Sequence, residues 1–176
     1  PSTDKPEMHE LYAALADNKA RNDLIGVDLL RAIKAGRSPI LLTERKDHLE
    51  FFAERLEKFA RHLVVLHGTI TARARKAAKA QLADIPADQE RLVLATGRYI
   101  GEGFDDARLD TLFLALPVSW KGTLIQYTGR LHRLHPAKED VRLFDYGDRE
   151  VPMLLGMFEK RLRGYRGIGY ARGEAP

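Results

Sequence analysis

The sequence predicts an α/β fold with a mostly parallel central sheet and helices on both faces, in three layers. Short apolar runs such as residues 63–66 (LVVL) and 111–116 (TLFLAL) lack polar alternation, which predicts strands that are buried on both faces. These runs alternate with amphipathic segments, in the order of βαβ units. No internal repeat is visible, and no linker is long enough to mark a second domain.

Five apolar runs predict the strands, and apolar residues three or four positions apart predict the helices between them. In the first full helix, Ile25, Leu29 and Ile33 share a face, and Gly36 and Pro39 give the stop signals. The predicted strands are residues 39–43, 63–66, 91–96, 111–116 and 141–146. The other predicted helices are residues 46–60, residues 72–82 with Thr71 as N-cap, residues 122–131, and a last helix that begins near Pro152.

These elements define one main domain with short flanking segments. We expect a lead-in and a helix over residues 1–24, the main domain over residues 25–163, and a flexible basic tail over residues 164–176. The tail follows from the glycines and arginines that begin at Gly164.

The composition is that of a globular domain. The chain has 176 residues, of which 44% are hydrophobic, and no run approaches the ~18 apolar residues of a membrane helix. Cysteine is absent, which excludes disulfides, thiolate metal sites and cysteine nucleophiles and favours a cytoplasmic location. The formal charge of +4 is compatible with an acidic partner such as nucleic acid but does not require one.

Ligands of open parallel sheets bind beyond the carboxyl ends of the strands. The segments that follow the predicted strands are therefore the candidate binding loops. They are residues 43–45, 67–69, 96–106, 117–122 and 147–148.

The predicted helix over residues 122–131 and its exit carry a basic cluster. Gln126, Arg130 and Arg133 are four and three positions apart, which predicts one shared helical face. No acid lies between Lys121 and Lys138, so a phosphate could be the partner of these guanidinium groups. A solvated basic face, or pairing with acids from elsewhere in the fold, is the alternative.

Two other loops have features of phosphate or nucleotide sites. Residues 97–106 (GRYIGEGFDD) are rich in glycine, and Asp105 could accept hydrogen bonds from a ribose; a metal site or a plain surface loop are the alternatives. His67 and Gly68 precede a helix N-terminus with Arg75 one turn inside it, which suits a phosphate but also describes an ordinary capped helix.

Several nucleotide-site and catalytic motifs are absent from the sequence. There is no GxxxxGK[ST] phosphate loop, no complete GxGxxG fingerprint and no GxSxG elbow. His132 and His135 lack a third ligand for zinc.

Four segments, in order, resemble motifs of the C-terminal RecA-like domain of superfamily 2 helicases, which include DEAD/DEAH-box and type III restriction-subunit-like proteins. The most specific is residues 126–133 (QYTGRLHR), which matches the QxxGRxxR motif at all four fixed positions. The other three are residues 39–48 (PILLTERKDH), 64–75 (VVLHGTITARAR) and 95–117 (ATGRYIGEGFDDARLDTLFLALP).

This resemblance implies a three-layer RecA-like (P-loop NTPase-like) domain that works with an N-terminal RecA-like domain of the same polypeptide. Arg130 and Arg133 would reach the β- and γ-phosphates of ATP, and Gln126 would contact the same nucleotide or its attacking water. Glu102, Gly103 and Asp105 would line the ATP side. The residues that would hold phosphates of one nucleic-acid strand are Thr43, Arg45, His67, Gly68, Thr71, Arg75, Thr96 and Gly97.

The resemblance further implies an ATP-dependent helicase whose track is DNA, with RNA possible. ATP and Mg²⁺ would be held mainly by the other RecA-like domain, with no metal in this chain. Because the phosphate loop is absent and the chain does not begin with Met, we expect a fragment that is inactive alone. A non-catalytic RecA-like interaction module and a free-standing nucleotide-binding enzyme of doubly wound fold are the competing hypotheses.

Overall fold

Five parallel strands form a central sheet in the order β2-β3-β1-β4-β5. The computed structural model describes residues 7–97, 106–118 and 122–173, except for the side chains of Thr123 and Arg130. The strands are β1 (Pro39–Thr43), β2 (Leu63–Leu66), β3 (Leu92–Thr96), β4 (Thr111–Leu114) and β5 (Arg142–Asp145). All five predicted strands are therefore confirmed, with ends that shift by no more than two residues.

Six helices lie among the described residues and cover both faces of the sheet. They are α1 (Met8–Ala16), α2 (Lys19–Lys34), α3 (Lys46–Leu56), α4 (Ala72–Asp84), α5 (Gly122–Arg130) and α6 (Pro152–Gly167). Successive side chains of β1 point to opposite faces of the sheet and so reach the two helix layers in turn. Leu41 packs into the core under α2 and α3, whereas Ile40 and Leu42 pack into the core under α4 and α5. The predicted three-layer α/β class is confirmed.

Three predicted boundaries are wrong. Helix α2 begins at Lys19, where the Asn18 side chain accepts from the Arg21 amide at 3.0 Å, so the predicted division at residue 24 falls inside a helix. Helix α3 ends at Leu56, where the chain tightens into a turn, and not at residue 60. Helix α6 continues through Gly164 to Gly167, so the flexible tail does not begin where predicted.

A buried ion pair explains why α6 extends past Gly164. Arg161 donates to the Asp145 carboxylate through Nε at 2.7 Å and Nη2 at 3.0 Å, and through Nη1 to the Val118 carbonyl at 2.9 Å. One turn later the Tyr165 hydroxyl donates to Asp145 at 2.7 Å. The Arg161 side chain is only 1% exposed, so it is a core residue that anchors α6 to the end of β5. This cation, three residues before the predicted tail, is thus structural.

At the opposite edge of the sheet, Asp110 joins the amino ends of β1 and β4. Its carboxylate accepts from the Ser38 amide at 2.9 Å, the Thr111 hydroxyl at 2.9 Å and Arg108 Nη1 at 3.3 Å. Arg37 donates to the Thr111 hydroxyl at 2.7 Å. Hydrogen bonds compensate the burial of these polar groups and hold the strand starts together.

Replacing Gly147 by alanine should destabilise the fold. A Cβ at Gly147 would lie 2.8 Å from Cε1 and 2.9 Å from Cδ1 of the buried Phe158 ring. Relieving this overlap should lower the free energy of unfolding, measured with urea, by about 1–3 kcal/mol. Gly156→Ala is the matched control, because nothing lies within 4 Å of its Cβ position in α6. It should be neutral or stabilising, and equal stability of the two variants would contradict the packing argument.

Candidate functional site

The carboxyl ends of β1, β2 and β3 lie side by side. Thr43 pairs with Thr96 in register across β1 and β3, and Leu66 pairs with Ala95 across β2 and β3. The loops that follow these strands therefore meet at one edge of the sheet. This edge brings together most of the residues that the resemblance assigns to nucleic acid.

Thr43, the last residue of β1, is 1% exposed and lies at the end of a buried hydrogen-bond chain. Its hydroxyl lies 2.8 Å from His48 Nδ1, and His48 Nε2 lies 2.8 Å from Asn22 Oδ1. The Asn22 amide nitrogen donates to the Ala16 carbonyl at 2.7 Å, which leaves Oδ1 as the acceptor towards His48. His48 thus carries its proton on Nε2, and its Nδ1 accepts the Thr43 hydroxyl proton. That hydroxyl has no proton left to donate to a phosphate.

Burial holds His48 in this neutral form. Desolvation, followed by the charge of Arg21, lowers the pKa of His48 to about 4. The ring is 2% exposed and packs 4.9 Å from the Phe52 ring. The geometry of the β1 end is therefore independent of pH near neutrality.

Gly97, just after β3, allows a close approach by Glu44. The Glu44 Oε1 atom overlaps the position that a Cβ of Gly97 would take, so the carboxylate occupies the space of the missing side chain. Burial raises the pKa of Glu44. Beside it, the Thr96 hydroxyl oxygen is buried and has no hydrogen-bond partner in the described part of the chain.

The β2 end leads into a capped helix, as predicted. The Thr71 side chain accepts from the Ala74 amide at 3.1 Å, which confirms Thr71 as the N-cap of α4. His67 Nδ1 lies 2.7 Å from the Thr69 hydroxyl, and Gly68 between them is exposed. Arg75, one turn into α4, is half-buried.

Arg45, beyond β1, already has a carboxylate partner. Its guanidinium donates to both oxygens of Asp47, through Nε at 3.0 Å and Nη2 at 2.8 Å. Because the pair is partly exposed, a phosphate could compete for the guanidinium at modest cost.

The prediction that Gln126, Arg130 and Arg133 share one helical face is wrong for Arg133. Helix α5 ends at Arg130, and Leu131 and His132 form a turn, so Arg133 lies outside the helix. After the helix, Lys138 Nζ donates to the carbonyls of Leu131 at 2.8 Å and Arg133 at 2.9 Å and so holds the exit turn. Gln126 and Arg133 are both exposed.

Arg133 also lies at the other edge of the sheet from the nucleic-acid candidates. Burial lowers the pKa of Lys138, and the nearby carboxylates of Asp110 and Asp106 oppose this shift. Helix α5 carries the chain back from the carboxyl end of β4 to the start of β5, where the Arg142 amide donates to the Asp110 carbonyl at 2.9 Å, so the segment with Arg133 lies towards the amino ends of these strands. Arg133 therefore lies outside the strand-end segments that the sequence marks as candidate binding loops.

Four of the candidate residues cannot be placed in full. Glu102, Gly103 and Asp105 lie outside the described residues, as does the rest of the segment 98–105 of their loop. Arg130 is described only through its backbone, as the last residue of α5.

Sequence reasoning missed a second buried ion pair, at the carboxyl ends of β4 and β5. Arg21 Nε lies 3.2 Å from Asp148 Oδ1, and Arg21 also donates to the Ala115 carbonyl. Nearby, the Tyr12 hydroxyl donates to the Pro117 carbonyl. The apolar spacing of α2 gives no signal for Arg21, whereas Arg161 falls on the same face of α6 as Leu154 and could have been found.

The described residues contain no group of three His, Cys, Asp or Glu side chains that could hold a metal ion. None of the helices in the described ranges has the length and apolarity needed to cross a membrane.

Solved structures share this architecture, although no family model and no curated protein matches the sequence. T4 UvsW superposes with a TM-score of 0.69 at 16% identity, over 93% of this chain and 36% of that one. The C-terminal part of the Fun30 ATPase domain superposes with a TM-score of 0.65 at 11% identity, over 92% of this chain and 51% of that one. The C-terminal domain of the DEAD-box protein Dbp5 superposes with a TM-score of 0.58 at 14% identity, over 84% of this chain and 80% of that one.

The chain shares the RecA-like α/β fold of these three solved structures. It spans about a third of UvsW and about half of the Fun30 structure. Within this RecA-like fold, the segment with the QxxGRxxR pattern forms α5 and its exit, and the three other segments follow or contain β1, β2 and β3.

The stability of this domain should fall on acidification because His48 is buried as a neutral ring. Its pKa is about 4 in the folded state and about 6.5 when unfolded, so the unfolded state binds the proton first as the pH falls. Between pH 7.5 and 4.5 this term should remove about 2–3 kcal/mol of unfolding free energy, measured with urea.

His48→Gln removes this term, so its stability should depend less steeply on pH across that window. His9→Gln is the control, since the His9 side chain is 72% exposed. The wild-type curve should be retained in His9→Gln. The same slope in His48→Gln would show that His48 is not buried as a neutral ring.

Proposed function

We propose that this chain is the second motor domain of an ATP-dependent superfamily 2 helicase or translocase. In this proposal, an N-terminal RecA-like domain of the same polypeptide holds ATP and Mg²⁺. The present domain supplies arginines to the nucleotide and holds the backbone of one nucleic-acid strand, DNA or RNA.

The observation that carries this proposal is the separation of two groups of candidate residues. Those assigned to nucleic acid lie in the loops after β1, β2 and β3, at the carboxyl edge of the sheet. Arg133 lies near the amino end of β4, beyond α5, on the segment without acids. The sheet lies between these two groups of residues. If the domain closes on a nucleotide bound at Arg133, it would therefore move the nucleic-acid strand that is held at the carboxyl edge.

The α5 segment suits the phosphates of ATP. Gln126 and Arg133 are exposed, and the chain from Lys121 to Lys138 contains no acid that could oppose an incoming anion. Arg130 and Arg133 would compensate negative charge that develops on the transferred phosphoryl group, and Asp105 would lie near the ribose. Arginines with this role contribute about 10³- to 10⁵-fold to turnover.

The carboxyl edge suits a phosphate backbone that is held mainly by main-chain groups. Gly68 is exposed, and the N-terminus of α4 after Thr71 presents backbone amides and a positive dipole end. Thr43 would act through the shape of the β1 end, because His48 takes its hydroxyl proton. Such contacts are independent of base sequence and sensitive to salt.

Arg133→Ala in the full-length protein tests the motor assignment. The kcat of nucleic-acid-stimulated ATPase should fall about 10³-fold, while affinity for an oligonucleotide and thermal stability stay within twofold and 2 °C of wild type. Arg133→Lys should also lose most of the turnover, because an ammonium group cannot make the two-pronged contact of a guanidinium.

Arg163→Ala is the matched control, since Arg163 is an exposed arginine on α6, far along the chain from the QxxGRxxR pattern. It should turn over ATP at the wild-type rate. Normal ATPase in Arg133→Ala would rule out the motor assignment and favour a non-catalytic RecA-like interaction module.

A further inference from the structure

The outer face of α4 carries a stripe of cations that the motifs above do not explain. Arg73, Lys76 and Lys79 are three positions apart and exposed, so they lie along one side of the helix. None of the three makes an ion pair or a side-chain hydrogen bond with the described residues. The first acid of this helix is Asp84, its last residue.

This pattern differs from that of the helices on the other face of the sheet. There, Lys19 pairs with Asp23 at 2.7 Å, and Arg55 pairs with the same carboxylate at 2.8 Å. On α4, like charges three positions apart repel each other without compensation. A bound polyanion would relieve this repulsion.

The stripe is continuous with the candidate phosphate site at the carboxyl edge. Helix α4 begins directly after Thr71, and Arg73 lies in its first turn. From Arg73 to Lys79 the helix rises about 9 Å, which is too far for a single phosphate group to contact all three cations. Helix α4 packs against β2, which is the edge strand of the sheet formed by the described residues.

We propose that Arg73, Lys76 and Lys79 bind successive phosphates of the nucleic acid, so that the interface extends from the strand-end loops along the outer face of α4. This inference rests on the proposed function, and it adds a surface outside the helicase-like motifs. The charge of a phosphate backbone fits a linear array of cations without any base-specific contact.

The test compares two triple variants of this chain that remove the same charge. Arg73→Gln, Lys76→Gln and Lys79→Gln remove the α4 stripe, whereas Lys160→Gln, Arg163→Gln and Arg166→Gln remove three exposed cations of α6. Binding of a fluorescent single-stranded oligonucleotide is measured by anisotropy over a range of KCl concentrations. Circular dichroism and urea unfolding check that both variants are folded.

Three lost single-strand phosphate contacts should make the slope of log K against log [KCl] shallower by about 2 in the α4 variant. The α6 variant should keep the wild-type slope. Exchanging the α4 cations for their basic counterparts, in Arg73→Lys, Lys76→Arg and Lys79→Arg, should also keep it. If the triple glutamine variant does not fold, the single variants Arg73→Gln, Lys76→Gln and Lys79→Gln serve, and each should make the slope shallower by about 0.7.

An unchanged slope in the α4 variant, or an equal loss in both triple variants, would overturn the inference. The first result would assign the stripe to another ligand such as an acidic protein, and the second would show only an effect of net charge. If the wild-type chain itself fails to bind the oligonucleotide at low salt, the nucleic-acid part of the proposed function fails first, which is a separate result.

Discussion

The parallel direction of all five strands is the constraint on which the rest of the molecule depends. Each strand can be followed by a parallel neighbour only if the chain crosses back, and it does so here largely through helices. Loops that follow strands therefore collect at one edge, and loops that follow helices collect at the other. Thr43 and Gly97 belong to the first edge, whereas Arg133 belongs to the second because α5 carries the chain back across the sheet.

Polar groups in this core are held by specific partners, and those partners determine what is left for a ligand. The hydroxyl of Thr43 is used by His48, and the guanidinium of Arg161 is used by Asp145 and a carbonyl. Burying such groups without partners would be costly. A residue type that suits phosphate is therefore weak evidence for a phosphate contact until its own hydrogen bonds are known.

The pattern of apolar residues predicted the strands and helices well, because strand burial and helix amphipathicity depend on residues only a few positions apart in the sequence. All five strands, the N-cap at Thr71 and the faces of α2 and α3 follow from spacing alone. The errors lie at helix ends, where distant groups decide. Lys138 holds the turn that follows α5 and contains Arg133, and Asp145 holds Tyr165 in the part of α6 that continues past Gly164.

The sequence by itself determined the fold class, the order of the elements and the motif that resembles QxxGRxxR, because each depends on residues close together in the chain. Only the tertiary structure decided which cations are structural and which face solvent. Arg161 is buried against Asp145, whereas Lys76 on α4 forms no ion pair with the described residues. The physical reason is that ion pairing depends on distance in space, and the partners in this fold can lie more than a hundred residues apart, as Arg21 and Asp148 do.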